Sequence, residues 1–267
     1  MLTSHIPHIR YIWLVVASMI AGVINAMAGG GSFLSFPAML GMGVPPVQAN
    51  ATNTVALWPG QLASVFALHG DVRRGLLPPV ITATAIGGVA GAEVLLHTRQ
   101  ETFFQLVPWL ILIGTLLFGF SGKISQWLRS RSTHAHLEGD SAAVRPVSFL
   151  PLCLSLLPVC FYIGYFGAGG GFLIMTVLAL FGVEEMHELN ALKVVAACLA
   201  NLVATLTFIV TGAVLWHYCL IAMIFAGLGG YMGAHWARRS SPKVLRAIVV
   251  ISGCTVAAYF FWRQSQG

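Results

Sequence analysis

The sequence predicts an all-α integral membrane protein made of two homologous helical repeats, inverted relative to each other, with about eight long transmembrane helices and two short segments that follow glycine triplets. Three observations lead there. Hydrophobic residues make up 57% of the 267-residue chain and charged residues 8%, with a mean hydropathy of +0.84, which does not describe a water-facing surface. Ala28-Gly29-Gly30-Gly31-Ser32-Phe33 returns 140 residues later as Ala168-Gly169-Gly170-Gly171-Phe172-Leu173. At the same offset Asn50-Ala51 matches Asn190-Ala191 and Gln61 matches Asn201, while Gly87-Gly88 and Gly91-Ala92 reappear 142 residues on as Gly229-Gly230 and Gly233-Ala234. A fixed internal period in an apolar chain marks a duplication.

Apolar runs then give the elements in order. The first repeat, residues 1–121, holds long runs at 12–28, 47–69, 78–97 and 102–121, with a short run at 32–43 directly after the first triplet. The second, residues 149–267, holds 149–168, 189–211, 214–236 and 244–262, with a short run at 172–182 after the second triplet. Several long runs approach the roughly 20 residues a helix needs to cross, and the short ones reach about half of that. Residues 122–148 gather Lys123, Arg129, Arg131, Glu138, Asp140 and Arg145 with Ser, Thr and His, and read as a cytoplasmic linker. His134 and His136 lie in this solvated loop and read as surface residues rather than a metal pair.

The five cysteines lie in apolar runs and are odd in number, so they read as small core residues and not as a disulfide framework. Arg10, the apolar stretch after it and Ala26-Met27-Ala28 imitate a secretory signal with its cleavage site. The repeat argues against cleavage, because residues 149–168 hold the equivalent place and lead into the same triplet.

Orientation follows from counting Lys and Arg by loop. With four crossings in each half the two sides carry eight and five basic residues, a poor bias. If the segments around each triplet add or remove one crossing, Arg73, Arg74, the linker cluster and the cluster from Arg238 to Arg246 fall together, ten against three. The odd count makes the repeats inverted, puts the linker in the cytoplasm and leaves both termini outside.

The chemistry is expected where the membrane rule is broken, since irregular backbone at bilayer depth persists only when it is buried in protein or lines a wet cavity. Gly29, Gly30 and Gly31, with Gly169, Gly170 and Gly171, break it. A helix beginning at Ser32 or Phe172 would point its amide-rich, positive end into the gap, which suits an anion. Close helix packing is the bland use of the same glycines. After each break comes a polar helix face: Asn50, Thr52, Asn53, Thr54 and Gln61 in the first half, Asn190, Lys193, Asn201 and Thr205 in the second. Interhelical hydrogen bonding is the alternative use of these amides. Lys193 is harder to assign to structure alone, because a lysine inside a helix at bilayer depth costs roughly 2.5–3.5 kcal/mol without a partner. An anionic substrate would supply one; snorkelling toward Glu188 or the interface is the alternative.

These motifs resemble the sulfite exporter TauE/SafE family of bacterial polytopic membrane proteins. The resemblance rests on the paired Ala-Gly-Gly-Gly segments, on Gln48-Ala49-Asn50-Ala51-Thr52-Asn53, and on Gly87-Gly88-Val89-Ala90-Gly91-Ala92 with Gly229-Gly230-Tyr231-Met232-Gly233-Ala234. It implies transport of a small anion (sulfite, a sulfonate, or a related organosulfur or carboxylate compound) across the bacterial cytoplasmic membrane. The second triplet leads into Phe172 where the first leads into Ser32, so the two half-sites need not bind alike. An anion channel would share this architecture. An intramembrane hydrolase using Ser32 with His69 or His97 is the weaker rival, because the serine lacks the glycine two places on that a nucleophile elbow requires. No Walker motif is present, so the expected partners are the anion, the lipid bilayer and a coupling proton or sodium ion; a homo-oligomer is compatible, and no cofactor or nucleic acid is implied.

The charge count makes a topological prediction. In a background without the native cysteines, single cysteines at Ser132 and Ser241 should both be protected from an impermeant thiol reagent in intact cells. Labelling at one of them alone would restore the even crossing count.

Overall fold

A computed structural model describes residues 6–28, 30–68, 72–137, 148–183, 185–237 and 242–265. Among these, all regular structure is helical. The helices are α1 (Ile6–Ala28), α2 (Ser32–Gly41), α3 (Pro46–Leu68), α4 (Leu77–His97), α5 (Gln100–Leu137), α6 (Phe149–Tyr165), α7 (Gly170–Leu180), α8 (Met186–Val210), α9 (Trp216–Ala237) and α10 (Pro242–Ser265), with one 3₁₀ turn at Arg74–Leu76. Five elements precede the interruption at residue 138 and five follow residue 148. In each set a long helix leads into a short one and then into three long ones.

Local sequence explains most boundaries. Pro46 and Pro242 open α3 and α10, and Pro78 and Pro79 lie in the first turn of α4, where the missing N–H has no intrahelical partner to lose. Two boundaries differ from the sequence expectation. The second short helix starts at Gly170 rather than Phe172, because Gly169 adopts the left-handed conformation (φ 80°) and turns the chain two residues earlier. Residues 123–137, expected to be loop, continue α5, which at 38 residues extends about 57 Å, well beyond a hydrocarbon core of about 30 Å. Neither Gly nor Pro interrupts residues 123–137, and their Lys, Gln, Leu and Arg are good helix formers. The five cysteines are free; four are buried as expected, but Cys254 is exposed, on an α10 surface that also exposes Ile251.

Helices of the two sets interleave. α1 packs against α9 and α4 against α6, α5 runs beside α10, α3 crosses α8, and α4 and α9 also pack on α8 and α3 respectively. Each short helix folds back on the long helix that follows it. Exchanging α1–α5 for α6–α10 maps the set onto itself, with α3–α8 and α5–α10 each mapping onto themselves. The closest pairs are built on glycine. A Cβ at Gly229 of α9 would overlap the Met19 carbonyl oxygen of α1, and one at Gly91 of α4 would overlap the Phe161 carbonyl oxygen of α6. Backbones that approach this closely gain dispersion and Cα–H contacts unavailable to larger residues.

Large apolar side chains are exposed on the outer helices, Trp109 and Ile224 among them at 56% and 59%, as suits a lipid solvent rather than water. Among the described residues two helices, 74–97 and 187–210, are long and apolar enough by composition to cross a bilayer.

Gly227 and Gly229 make a matched test of the α1–α9 packing, because a Cβ at Gly227 meets no atom within 4 Å. Gly229→Ala should destabilise the protein by about 1–3 kcal/mol, read as a lowered thermal unfolding midpoint in detergent, while Gly227→Ala leaves the midpoint where it was.

Candidate functional site

Two helical hairpins carry the polar residues. α2 and α3 form one, α7 and α8 the other, and each begins at a break in the chain and returns along a longer helix. α7 is 11 residues, or about 16 Å, which is about half the hydrocarbon thickness. Its amino end therefore lies deep relative to its carboxyl end, which leads into α8. Lys193 is the eighth residue of α8 and Asn53 the eighth of α3, so both face the deep ends of their short helices.

In the first hairpin the polar groups are engaged with protein. The Ser35 hydroxyl hydrogen-bonds to Asn53 Oδ1 and to the Gly31 carbonyl, which lies one turn back at the start of α2. Asn50 Nδ2 donates to the Tyr165 carbonyl at 3.0 Å, satisfying the last turn of α6 where it meets the second break. The Thr54 hydroxyl donates to the Asn50 carbonyl. Asn50 and Asn53 are both 1% exposed, and Asn50 Oδ1 is buried with no hydrogen-bond partner among the described residues. Ser32, half-buried, opens α2 after Gly31, and Gly30 is buried. Gly29 lies outside the described residues.

The second hairpin is arranged differently. Lys193, half-buried, lies with its Cγ and Cδ beside Gly171, where an added Cβ would stand 3.4 Å from both. Its ammonium lies 5.7 Å from the centre of the Phe172 ring, a cation–π contact. Among the described residues no carboxylate lies within 4 Å of it. Glu188, toward which the sequence allowed snorkelling, instead faces Arg73 at 3.9 Å. Asn190, half-buried, is one turn before Lys193 on the same face. Gly169 and Gly170 are buried and Gly171 half-buried, so this stem is held against the first turn of α7 with its charge uncompensated by protein.

Between the hairpins, equivalent residues touch each other. Asn201 Nδ2 donates to Gln61 Oε1 at 3.0 Å, and Trp58 Nε1 donates to the Cys198 carbonyl at 3.3 Å, each across 140 positions of sequence. Asn201 also donates to its own Ala197 carbonyl and approaches Gly167 in the second break. The breaks converge on α5: a Cβ at Gly114 would meet both the Ala168 carbonyl oxygen and the Phe33 ring at 2.9 Å. Phe36 and Phe166 stack edge to face beside them at 5.7 Å between centroids.

The structure thus brings Lys193, Asn190, Gly171 and Phe172 onto one hairpin, Gln61 and Asn201 onto the central crossing, and Asn50, Asn53 and Thr54 into hydrogen bonds with protein. His97, weighed as a hydrolase base, is exposed and bonds the Glu93 carbonyl of its own helix; His69 lies outside the described residues. Sequence reasoning missed Ser35, although a hydroxyl inside an apolar run is the kind of signal that marks such a role. It also missed Gln100, whose side chain accepts from the Val47 amide and donates to Gln48, tying α5 to the start of α3.

Comparison with known proteins agrees with the architecture. Residues 14–260 match the family described as Sulfite exporter TauE/SafE. A relative in Sinorhizobium sp, the probable membrane transporter protein ORF9, is 30% identical over 92% of this chain and 90% of its own. The probable membrane transporter protein YfcA of Escherichia coli K12 is 26% identical over 92% of this chain and 87% of its own, and a probable membrane transporter protein of Haemophilus influenzae is 27% identical over 94% of each. No solved structure matches the chain.

The Gln61–Asn201 bond is open to a double-mutant cycle. Gln61→Leu and Asn201→Leu should each destabilise the protein, and the double variant should be less destabilised than the sum by about 0.6 kcal/mol, the usual coupling of a polar pair between membrane helices. A coupling of zero in detergent unfolding would mean the two amides act independently.

Proposed function

From the premise that the chain belongs to the sulfite exporter TauE/SafE family, we propose that it is a secondary transporter of a small anion, built as an inverted duplication with an odd number of crossings in each half. The anion is sulfite, a sulfonate or a related carboxylate, the membrane is the bacterial cytoplasmic membrane, and a proton or sodium gradient drives the cycle. One observation carries the reading. Lys193 is the basic residue that the sequence sets inside an apolar segment, and its stem lies against Gly171 at the deep end of α7 with no carboxylate in reach among the described residues. An unpaired cation at that depth is costly, and an anionic ligand offsets the cost when it binds.

The first turn of α7 adds to the attraction. The Phe172 amide bonds the Gly169 carbonyl at 3.4 Å, the amides before it have no acceptor in a preceding helical turn, and the helix dipole directs positive potential at the same place. Gly169 in its left-handed turn lets that backbone pack against Gly114 of α5, whose carbonyl oxygen would stand 2.9 Å from an added Cβ. The duplication is supported by the recurring helix order, by the exchangeable pairings of the two halves, and by the contacts of Trp58 with Cys198 and Gln61 with Asn201, both 140 residues apart. Residues equivalent under a twofold operation meet each other only at its axis, so the α3–α8 crossing is the natural centre of the molecule.

Flux into proteoliposomes, screened over sulfite, sulfonates, thiosulfate and small carboxylates, tests the proposal. A saturable flux of at least one of these anions is expected. Lys193→Met should reduce it by about 10–100-fold, the loss that follows from removing one charged hydrogen-bond partner, while the variant still elutes as a folded species in detergent. Unchanged rate and affinity in the variant would make the lysine structural and move the anion site elsewhere.

A further inference from the structure

Resting on the anion-carrier reading, we propose that the Lys193 site selects monoanions and rejects dianions that carry the same acidic group. The argument is a charge count. Of the 14 Lys and Arg in the chain, Lys193 alone lies within an apolar segment; the others lie at segment ends, in the turns or in the linker. The equivalent place in the other half is taken by Asn53, again the eighth residue of its helix, which is neutral, 1% exposed and already held by the Ser35 hydroxyl. A symmetric ancestor of this arrangement would offer two cations or none. This chain offers one.

Among the described residues, the groups found beside the ammonium are uncharged. The Phe172 ring lies 5.7 Å away, Gly171 contributes only backbone, and Asn190 on the same helix face contributes a neutral amide. Arg73, just before α4, is turned to Glu188 at 3.9 Å. That pair is itself neutral overall. A monoanion binding beside Lys193 forms a neutral complex at bilayer depth. A dianion leaves one negative charge unpaired in the same surroundings, and the penalty for one excess charge at this depth corresponds to about 100-fold in affinity.

Phe172 strengthens the discrimination. It stands where the first half has Ser32, so the wall beside the cation is a ring face rather than a hydroxyl. The negative π-face of that ring repels a second anionic group while it tolerates an uncharged tail. Selection therefore acts on the far end of the ligand as well as on its charge.

Binding calorimetry on the full-length protein in nanodiscs tests the inference with two matched pairs: 2-hydroxyethanesulfonate against ethane-1,2-disulfonate, and propionate against succinate, all at a pH where every acidic group is ionised. The members of a pair resemble each other in chain length and differ in charge. Saturable binding is expected for the monoanion of at least one pair, with its dianion about 100-fold weaker. Lys193→Met should bring the monoanion down to the level of the dianion, and Lys193→Arg should keep the preference. Dianions that bind within about 3-fold of their monoanions in the wild-type protein would overturn the charge count while leaving the carrier reading in place. Failure of all four to bind, joined to absence of flux for every anion screened in proteoliposomes, would remove the carrier reading and this inference with it.

Discussion

A backbone amide or carbonyl inside a bilayer has no water to bond, and the two chain breaks are where this constraint presses hardest. The second break shows how it is met. The Phe166 and Gly167 amides both bond the Tyr162 carbonyl, the Tyr162 hydroxyl donates to the Ala168 carbonyl at 2.7 Å, and Asn50 reaches across from α3 to the Tyr165 carbonyl. An amide from one half thus closes a helix end in the other. Removing it would leave a carbonyl bare at depth, which is why a polar side chain persists at a 1% exposed position. The polar face of α3 is in this sense part of the backbone accounting of α6.

The same constraint explains why the halves interleave. Two independent five-helix bundles would each have to bury a broken helix within a small core. With α1 against α9 and α4 against α6, each glycine-rich helix finds a partner in the opposite half, and the breaks come together on Gly114 of α5 under a shared aromatic cluster of Phe33, Phe36, Phe103 and Phe166. Glycine here serves packing at Gly91 and Gly229 and conformation at Gly169, two different physical uses of a missing Cβ.

Much of this was legible in the chain. Apolar runs located the helices to within a few residues apart from the far end of α5, and Asn50, Gln61, Asn201 and Lys193 stood out because amides and charges are expensive in hydrocarbon. What was not legible depended on backbone conformation or on partners distant in sequence. The start of α7 moved to Gly170 because Gly169 turns left-handed, a choice that three successive glycines leave open. The polar continuation of α5 carries no hydrophobic period to announce it, although its residues favour helix. Spacing put Asn50, Asn53 and Lys193 on matching faces but was silent on which of them protein would satisfy, and Ser35, whose hydroxyl decides the matter for Asn53, lies 18 residues away.

Each hairpin sets polar side chains beside a chain break where backbone must be satisfied, and the two meet that demand differently. A neutral amide such as Asn53, its oxygen bonded by one hydroxyl, contributes rigidity. A lysine at the same register cannot be paired by Gly171 or by a phenyl ring, so its charge remains available to whatever ion arrives. Phe172, the counterpart of Ser32, puts a ring rather than a hydroxyl beside the ammonium. The asymmetry between the halves is therefore concentrated at the deep ends of two short helices, where one side has become scaffold and the other retains an unmet electrostatic demand.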